Sequence, residues 1–567
     1  MKTILDLKLT SICALLFVIC LAVFSQAVHY DFFFLDDRFH IVDNLHIGFN
    51  FENIKWMWTH SKTPIPYNVW QVLGFIGGVE NTETFRVFNM FIHSLSALLV
   101  FQIIFTFFTI KDEDHNPFYM ALGGALVFLF HPLQVESVVW ISSLRGLLAG
   151  FFTLAAILIS LNSKEQRISR STFYILALFT MSLLSKPTSI TLPALLILID
   201  YSVHRFSFKI IAKRNILFLI ASFAGMHLFS SDVIIRLLDI NLLGNFILVF
   251  DSFTTYVVNF LYPFDLVVGG QGSPVRVEKV MEIGRVILGC SLIAILGFIA
   301  YLDKKKNSGE ILFGLLFFLI FFLPISGLVN FHYQLISTVA DRYMYIPIVG
   351  LIIISVQCSK IINEKNRWLT KKHSFLILFI LSTTAINQTG KWKNEEILIN
   401  SKSTDSFYYQ MMLGTLLLNK EKHHKAKIHF IKAREINPSY LDSNVSLMKI
   451  HMILNELENA KALAKNLGMK LFDDVYLYSN YLMILSNNDL DDEAIALIGA
   501  QYHENPYNIN YLKQYSSMVG LKLNKKKSFY EAIAKESKGN GFNNTLKIMK
   551  KEIHVLENKL KELEENF

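Results

Sequence analysis

The feature that most constrains this chain is a succession of apolar runs, each close to the length that crosses a lipid bilayer. A transmembrane helix needs about 20 mostly apolar residues, because its backbone must satisfy its own hydrogen bonds where there is no water. Such runs fall near 9–27, 87–109, 118–138, 144–161, 171–186, 188–203, 214–230, 283–302, 311–328, 343–361 and 373–389. They predict an all-α, polytopic membrane bundle of about 11 spans over residues 1–390. The stretch 245–262 is also apolar, and the charge pattern makes it a re-entrant or surface helix. The first run follows Lys2 and Lys8 as a signal peptide would, but it is long and no small-x-small cleavage site precedes His29. An uncleaved first helix is the reading that fits.

Composition agrees with lipid as the solvent. The 567 residues are 52% hydrophobic and only 18% charged, with 48 Phe, whereas soluble domains are about one-quarter charged. The net charge of +8 does not point to nucleic acid, because the basic residues form no basic-aromatic patch. They gather instead in alternate gaps: Lys111; Lys164, Arg167 and Arg170; Arg205, Lys209, Lys213 and Arg214; Lys304, Lys305 and Lys306; Lys360, Lys365, Arg367, Lys371 and Lys372. The intervening loops are longer yet poorer in Lys and Arg. By the positive-inside rule the N-terminus is inside and the C-terminal tail outside. Cys13, Cys20, Cys290 and Cys358 lie in or beside apolar runs, with neither metal-ligand nor disulfide-framework spacing.

The tail carries a period. Ala426, Ala460 and Ala494 are 34 residues apart, and Pro438 and Pro506 twice that. Gly414, Leu417, Phe430 and Ala433 fall where a tetratricopeptide repeat places its small and apolar residues. A small residue lets two antiparallel helices approach, and Pro ends the second. Repeats are expected at 407–440, 441–474, 475–508 and, degenerate, 509–542, after a linker at 391–406. A polar capping helix is expected over 543–567. Such a solenoid presents a concave surface to protein or peptide.

Ionisable groups near a membrane face are costly and therefore functional candidates. Asp36 and Asp37 follow the first run. His131 and Glu136 end the third. Lys186 sits between Ser185 and Pro187, and Asp341-Arg342-Tyr343 precedes the tenth run. All fall on the outer side, together with Arg145. Two acids, a further acid, a Lys and an Arg at one face are suited to holding a phosphate ester and abstracting a proton. Paired acids also occur in ordinary loops, and Asp341-Arg342 also suits a salt-bridged helix start.

These residues carry a resemblance. The Asp36-Asp37 pair, Arg86-x-x-Asn89-x-x-x-His93, His131-Pro-x-x-x-Glu136, Ser185-Lys-Pro, Asp341-Arg-Tyr-x-Tyr-x-Pro347 and Trp392 resemble, in order, the transmembrane and tetratricopeptide-repeat O-mannosyltransferases and their bacterial relatives. Those belong to the GT-C class, and the resemblance runs from about residue 30 to 508. It implies an inverting transferase that takes a mannose or similar hexose from a polyprenyl phosphate. Asp36 would be the base and Asp37 would orient the acceptor or the first acid. Lys186 and Arg342 would neutralise the phosphate, and His131, Glu136, Arg145 and Tyr343 would shape the sugar or acceptor pocket. The partners implied are the lipid-linked sugar, membrane lipid and a polypeptide acceptor held by the repeats; a divalent metal is compatible and none is assigned. Two departures stand out: Leu144-Arg145-Gly146 lacks the acid of an Arg-x-Asp element, and Pro64-Ile-Pro66-Tyr67-Asn68 replaces a Tyr-Arg-Pro element.

An envelope oligosaccharide ligase or polymerase also joins many spans to repeats, but it calls for a large Arg- and His-rich outer loop late in the membrane domain. A non-catalytic repeat scaffold needs no ionisable cluster. The Lys-rich, Cys-poor composition suggests a bacterial inner membrane with a periplasmic tail, the endoplasmic reticulum with a lumenal tail being the alternative.

Overall fold

The computed structural model describes residues 2–33, 36–112, 116–229, 242–264, 266, 283–305, 309–328, 337–365, 367–400, 407–438, 440–454, 456, 459–460, 462–463, 482, 485–486, 490–504, 509–536 and 543–565. Among these, every regular element is helical. The chain divides into two units, Met1–Tyr409 and Gln410–Phe567.

The first unit is built around helix α1 (Lys2–Phe24) and, after a short pair α2 (Phe51–His60) and α3 (Pro64–Gly77), the long helix α4 (Thr82–Lys111). Asn81 caps α4 by accepting the Glu83 amide at 3.1 Å. Helices α5 (Phe118–Phe130), α6 (Val135–Val139) and α7 (Leu144–Asn162) follow, and α4 packs against α1, α5, α6 and α7. Then come α8 (Arg170–Leu183), α9 (Leu192–Ser202), α10 (Phe208–Phe229), α11 (Leu242–Leu261), α12 (Ile283–Lys305), α13 (Glu310–Phe322), α14 (Ile348–Lys365) and α15 (Arg367–Gly390).

Among the described residues four stretches, Leu9–Ala27, Thr82–Lys111, Ile141–Asn162 and Val286–Lys305, are long and apolar enough to cross a membrane. Helices α5 and α6 pass the same test together but are bent by 52°. These mark a membrane protein. The bend corrects the expectation of an unbroken run at 118–138. Pro132 offers no N–H and pushes His131 into extended backbone (ψ 127°), so α5 stops at Phe130. The apolar stretch 245–262 forms α11.

Without a hydrophobic drive between lipid-immersed helices, close approach at small residues holds them together. Gly314 of α13 and Gly350 of α14 face one another so tightly that a Cβ on Gly350 would lie 2.5 Å from the Gly314 carbonyl oxygen. Gly150 of α7 is likewise filled by the Tyr345 ring.

Helix α16 (Glu395–Asn400) belongs to the first unit; α17 (Phe407–Asn419), which begins just before the boundary, and α18 (His423–Ile436) form a hairpin. Glu421 makes the turn at φ 57°. A Cβ on Gly414 would stand 3.0 Å from the Phe430 ring, and Ala426, Phe430 and Ala433 are buried. After Leu441–Ile453 (α19) come Asp491–Glu504 (α20), Ile509–Glu536 (α21) and Asn543–Glu564 (α22). Gly499 of α20 meets the Tyr515 ring of α21 as Gly414 meets Phe430. Residues 464–481 of the second and third expected repeats, and Pro506, lie outside the described residues.

Candidate active site

The Asp-Asp pair opens a helical turn that continues through Arg38–Val42. Neighbouring residues on such a turn point about 100° apart, and here the two acids separate: Asp36 is exposed and Asp37 fully buried. One oxygen of Asp37 accepts the Phe33 amide at 3.2 Å. The other accepts the Ser142 amide at 2.9 Å and the Ser142 hydroxyl at 2.5 Å. Burial pushes the Asp37 carboxyl up to about 6, against the lowering effect of these hydrogen bonds and of Arg86.

Arg86, Asn89 and His93 recur along one face of α4. The Arg86 guanidinium donates to the carbonyls of Tyr30, of Asp31 at 2.6 Å and of Val139 at 3.2 Å. Asn89 donates to the Trp140 carbonyl at 3.2 Å, and His93 meets the Tyr345 hydroxyl at 3.1 Å. The motif thus ties the approach to the Asp-Asp pair to the turn that follows Glu136.

Glu136 accepts the Arg342 backbone amide at 3.1 Å and also pairs with the Arg342 side chain. That guanidinium lies over the Trp140 ring at 5.1 Å and the Tyr343 ring at 5.0 Å. Trp140 in turn stacks with Trp392 at 6.0 Å, and Trp392 meets Phe33 edge-on at 5.2 Å. The Lys186 ammonium sits 4.7 Å above the Tyr343 ring. Its charged neighbours are Arg342, Arg145, Glu136 and Asp36. Gly146, Lys186, Phe321, Arg342, Tyr343 and Tyr345 help line a cavity of about 10 Å³, the space of roughly one water.

Beside it, Arg145 rests on two groups that sequence reasoning did not single out. Its Nη2 lies 2.9 Å from His40 Nε2 and 3.2 Å from the Tyr67 hydroxyl, and His40 Nδ1 is 2.7 Å from that hydroxyl. Trp70 stacks on His40 at 5.9 Å. Burial, with the Arg145 cation adjacent, pushes His40 down to about 3, so the ring stays neutral. The sequence signal was spacing: His40 falls one helical turn after Asp36.

The structure therefore brings Lys186 within electrostatic reach of Asp36, Glu136, Arg145 and Arg342, with Tyr343 beneath its ammonium. Asp37 anchors the turn that bears Asp36. His131 has both ring nitrogens engaged: Nδ1 accepts the Leu133 amide at 3.2 Å and Nε2 donates to the Phe260 carbonyl at 3.0 Å. Among the described residues no group of three or more His, Cys, Asp or Glu side chains is gathered to hold a metal ion.

No family model matches the chain. A curated protein of Caenorhabditis elegans, the protein O-mannosyl-transferase F38B6.6, is 22% identical over 388 residues. The match covers 64% of this chain and 51% of that protein, so this chain spans about half the length of the curated relative it matches. The chain is thus a distant relative, in sequence, of an O-mannosyltransferase.

Proposed function

We propose that this chain is an inverting membrane glycosyltransferase of GT-C type, moving mannose or a similar hexose from a polyprenyl phosphate to a hydroxyl, Ser or Thr of a polypeptide. The observation that carries the reading is the cluster of charges around Lys186. Lys186 has Arg145, Arg342, Glu136 and the exposed Asp36 as its charged neighbours, and Glu136 pairs with Arg342. A surplus of positive charge next to an uncommitted base is what a phosphate leaving group and a hydroxyl nucleophile require. The distant O-mannosyltransferase relative points the same way.

In this mechanism Asp36 takes the proton of the acceptor hydroxyl as its oxygen attacks the anomeric carbon. The bond from that carbon to the lipid phosphate breaks, and Lys186 and Arg342 stabilise the phosphate charge as it grows. Asp37 acts as a positioning residue, holding the turn that presents Asp36. Glu136 orients Arg342, Tyr343 lies under both cations, and His131 shapes the wall. The polyprenyl chain lies along the apolar helices.

About 11 spans over residues 1–390 would carry this site on the outer face. The linker 391–406, tetratricopeptide repeats over 407–542 and capping helix 543–567 would lie on the same side and recruit the acceptor. A bacterial inner membrane with a periplasmic tail is the favoured setting, and an endoplasmic reticulum membrane with a lumenal tail the alternative.

The test is transfer from a polyprenyl-phosphate-linked mannose to a Ser/Thr-rich peptide in membranes that contain the full chain. Asp36→Asn is expected to lower the rate by about 10²–10⁴-fold. Unchanged transfer by that variant discards the base assignment, and no transfer by the unmodified chain discards the reading.

A further inference from the structure

We infer that the hairpin of α21 and α22, at the C-terminal end of the second unit, is a docking site for an anionic phospholipid surface. The inference stands apart from the transferase reading, because it uses none of the residues placed in that site.

Helices α21 and α22 pack through an apolar stripe of α22, on which Met549, Ile553 and Leu563 are buried. Between the two helices opens a groove of about 590 Å³. Its charged lining is Lys527, Lys547, Lys550 and Lys551 against Glu531 and Glu557. Glu557 is engaged by Lys527 at 2.9 Å, and Glu552 by Lys526 at 2.5 Å. Lys547, Lys550 and Lys551 are exposed and pair with no carboxylate among the described residues. Lys547 has Lys550 at i+3 and Lys551 at i+4, the spacings at which like charges on a helix repel. The cost is small, but these three side chains make no ion pair in return for it. An anion lodged among them removes the repulsion.

The neighbours of the lysines say what kind of anion. At about 100° per residue, Lys551 lies between Lys547 on one side and Ile548 with Val555 on the other. Those two aliphatic side chains, seven residues apart on one face, are 61% and 59% exposed. A free phosphate or a run of carboxylates would engage the cations and leave Ile548 and Val555 in water. The headgroup region of an anionic leaflet takes both, with phosphate oxygens on the lysines and the boundary of the acyl chains around the aliphatics. Lipid is also the anion source that a membrane protein always meets. The polar helix expected to do no more than cap the repeats thereby gains a binding face.

The full chain, held in nanodiscs of neutral phosphatidylcholine, is mixed with vesicles of phosphatidylcholine alone or with about one-third phosphatidylglycerol, and floated on a density gradient. Flotation with the anionic vesicles and not with the neutral ones is expected, weakening as salt is added. Changing Lys547, Lys550 and Lys551 together to Gln should weaken binding to anionic vesicles about 10²-fold, with thermal unfolding unchanged because the three are exposed and unpaired. Ile548→Ser combined with Val555→Ser should weaken it about tenfold, an effect that salt does not abolish. A matched change of Lys422, Lys425 and Lys432 to Gln, which removes the same charge from the first hairpin, should leave binding as it was. Absent flotation, equal flotation with neutral vesicles, an equal loss in the matched variant or no loss in the Ile548 and Val555 variant each overturns the inference. So does capture of the chain by a polyglutamate peptide when anionic vesicles leave it unbound.

Discussion

One oxygen of the buried Asp37 carboxylate receives both the amide and the hydroxyl of Ser142, 105 residues further along the chain, at 2.9 and 2.5 Å. This pair joins the turn bearing Asp36 to the short stretch between Glu136 and Arg145. Its neighbour Asp36 bonds to nothing comparable and stands in solvent. Opposite outcomes are therefore expected from the two aspartates. Asp37→Ala leaves the Phe33 amide and both Ser142 donors without an acceptor, and should destabilise the fold by about 2 kcal/mol or more. Asp36→Asn should leave stability within about 0.5 kcal/mol. Thermal unfolding in detergent, followed by size-exclusion chromatography, reads the difference; equal losses in both variants would contradict the division.

Acidity should mark Asp37 as well. Its folded value is raised from 3.8 to about 6. The folded state thus binds this proton more tightly than the unfolded chain does. The stabilisation linked to protonation is full below pH 3.8 and is lost as pH rises through about 6. The melting temperature of the unmodified chain minus that of Asp37→Asn should therefore fall across that window and level off above it. A difference that rises with pH there would reverse the assigned cause.

Glu136 and Arg342 should behave as one unit. Removing either leaves the other charge poorly compensated, because their side chains are only 3% and 13% exposed. Glu136→Gln, Arg342→Gln and the double variant are expected to show a coupling of about 1 kcal/mol or more in stability. Additive losses would mean that the pair is no pair.

The glycine contact between α13 and α14 admits no side chain. Gly350→Ala would place a methyl 2.5 Å from both the Gly314 carbonyl oxygen and the Phe318 amide nitrogen. Backbone cannot step aside cheaply, so a loss of about 1–3 kcal/mol is expected, whereas Gly123→Ala, which meets nothing within 4 Å, should be neutral. Folded yield after detergent extraction compares the two.

How much of this was readable beforehand varies with the range of the interactions involved. Helical character and apolar runs are local properties, so the all-helical architecture and the apolar helices of spanning length were legible. So were the small residues at 414 and 426, whose role depends on a partner one hairpin away. The bend at His131 was missed because hydropathy does not register the amide that Pro132 lacks. Asp36 and Asp37 look equivalent in sequence, and only Ser142, far along the chain, separates them. His40 and Tyr67 escaped notice for the same reason: neither is charged, and what makes them part of the site is an arginine that arrives from another helix.

The cavity beside Lys186 and Arg342 has room for about one water, and a hexose is many times larger. On the proposed transferase reading, taking up a sugar here requires Tyr343 and its neighbours to move. The observed affinity for a donor would then be the intrinsic affinity scaled by how often the closed form parts. On that reading a substitution that loosens this wall would tighten apparent binding while touching no atom of the ligand.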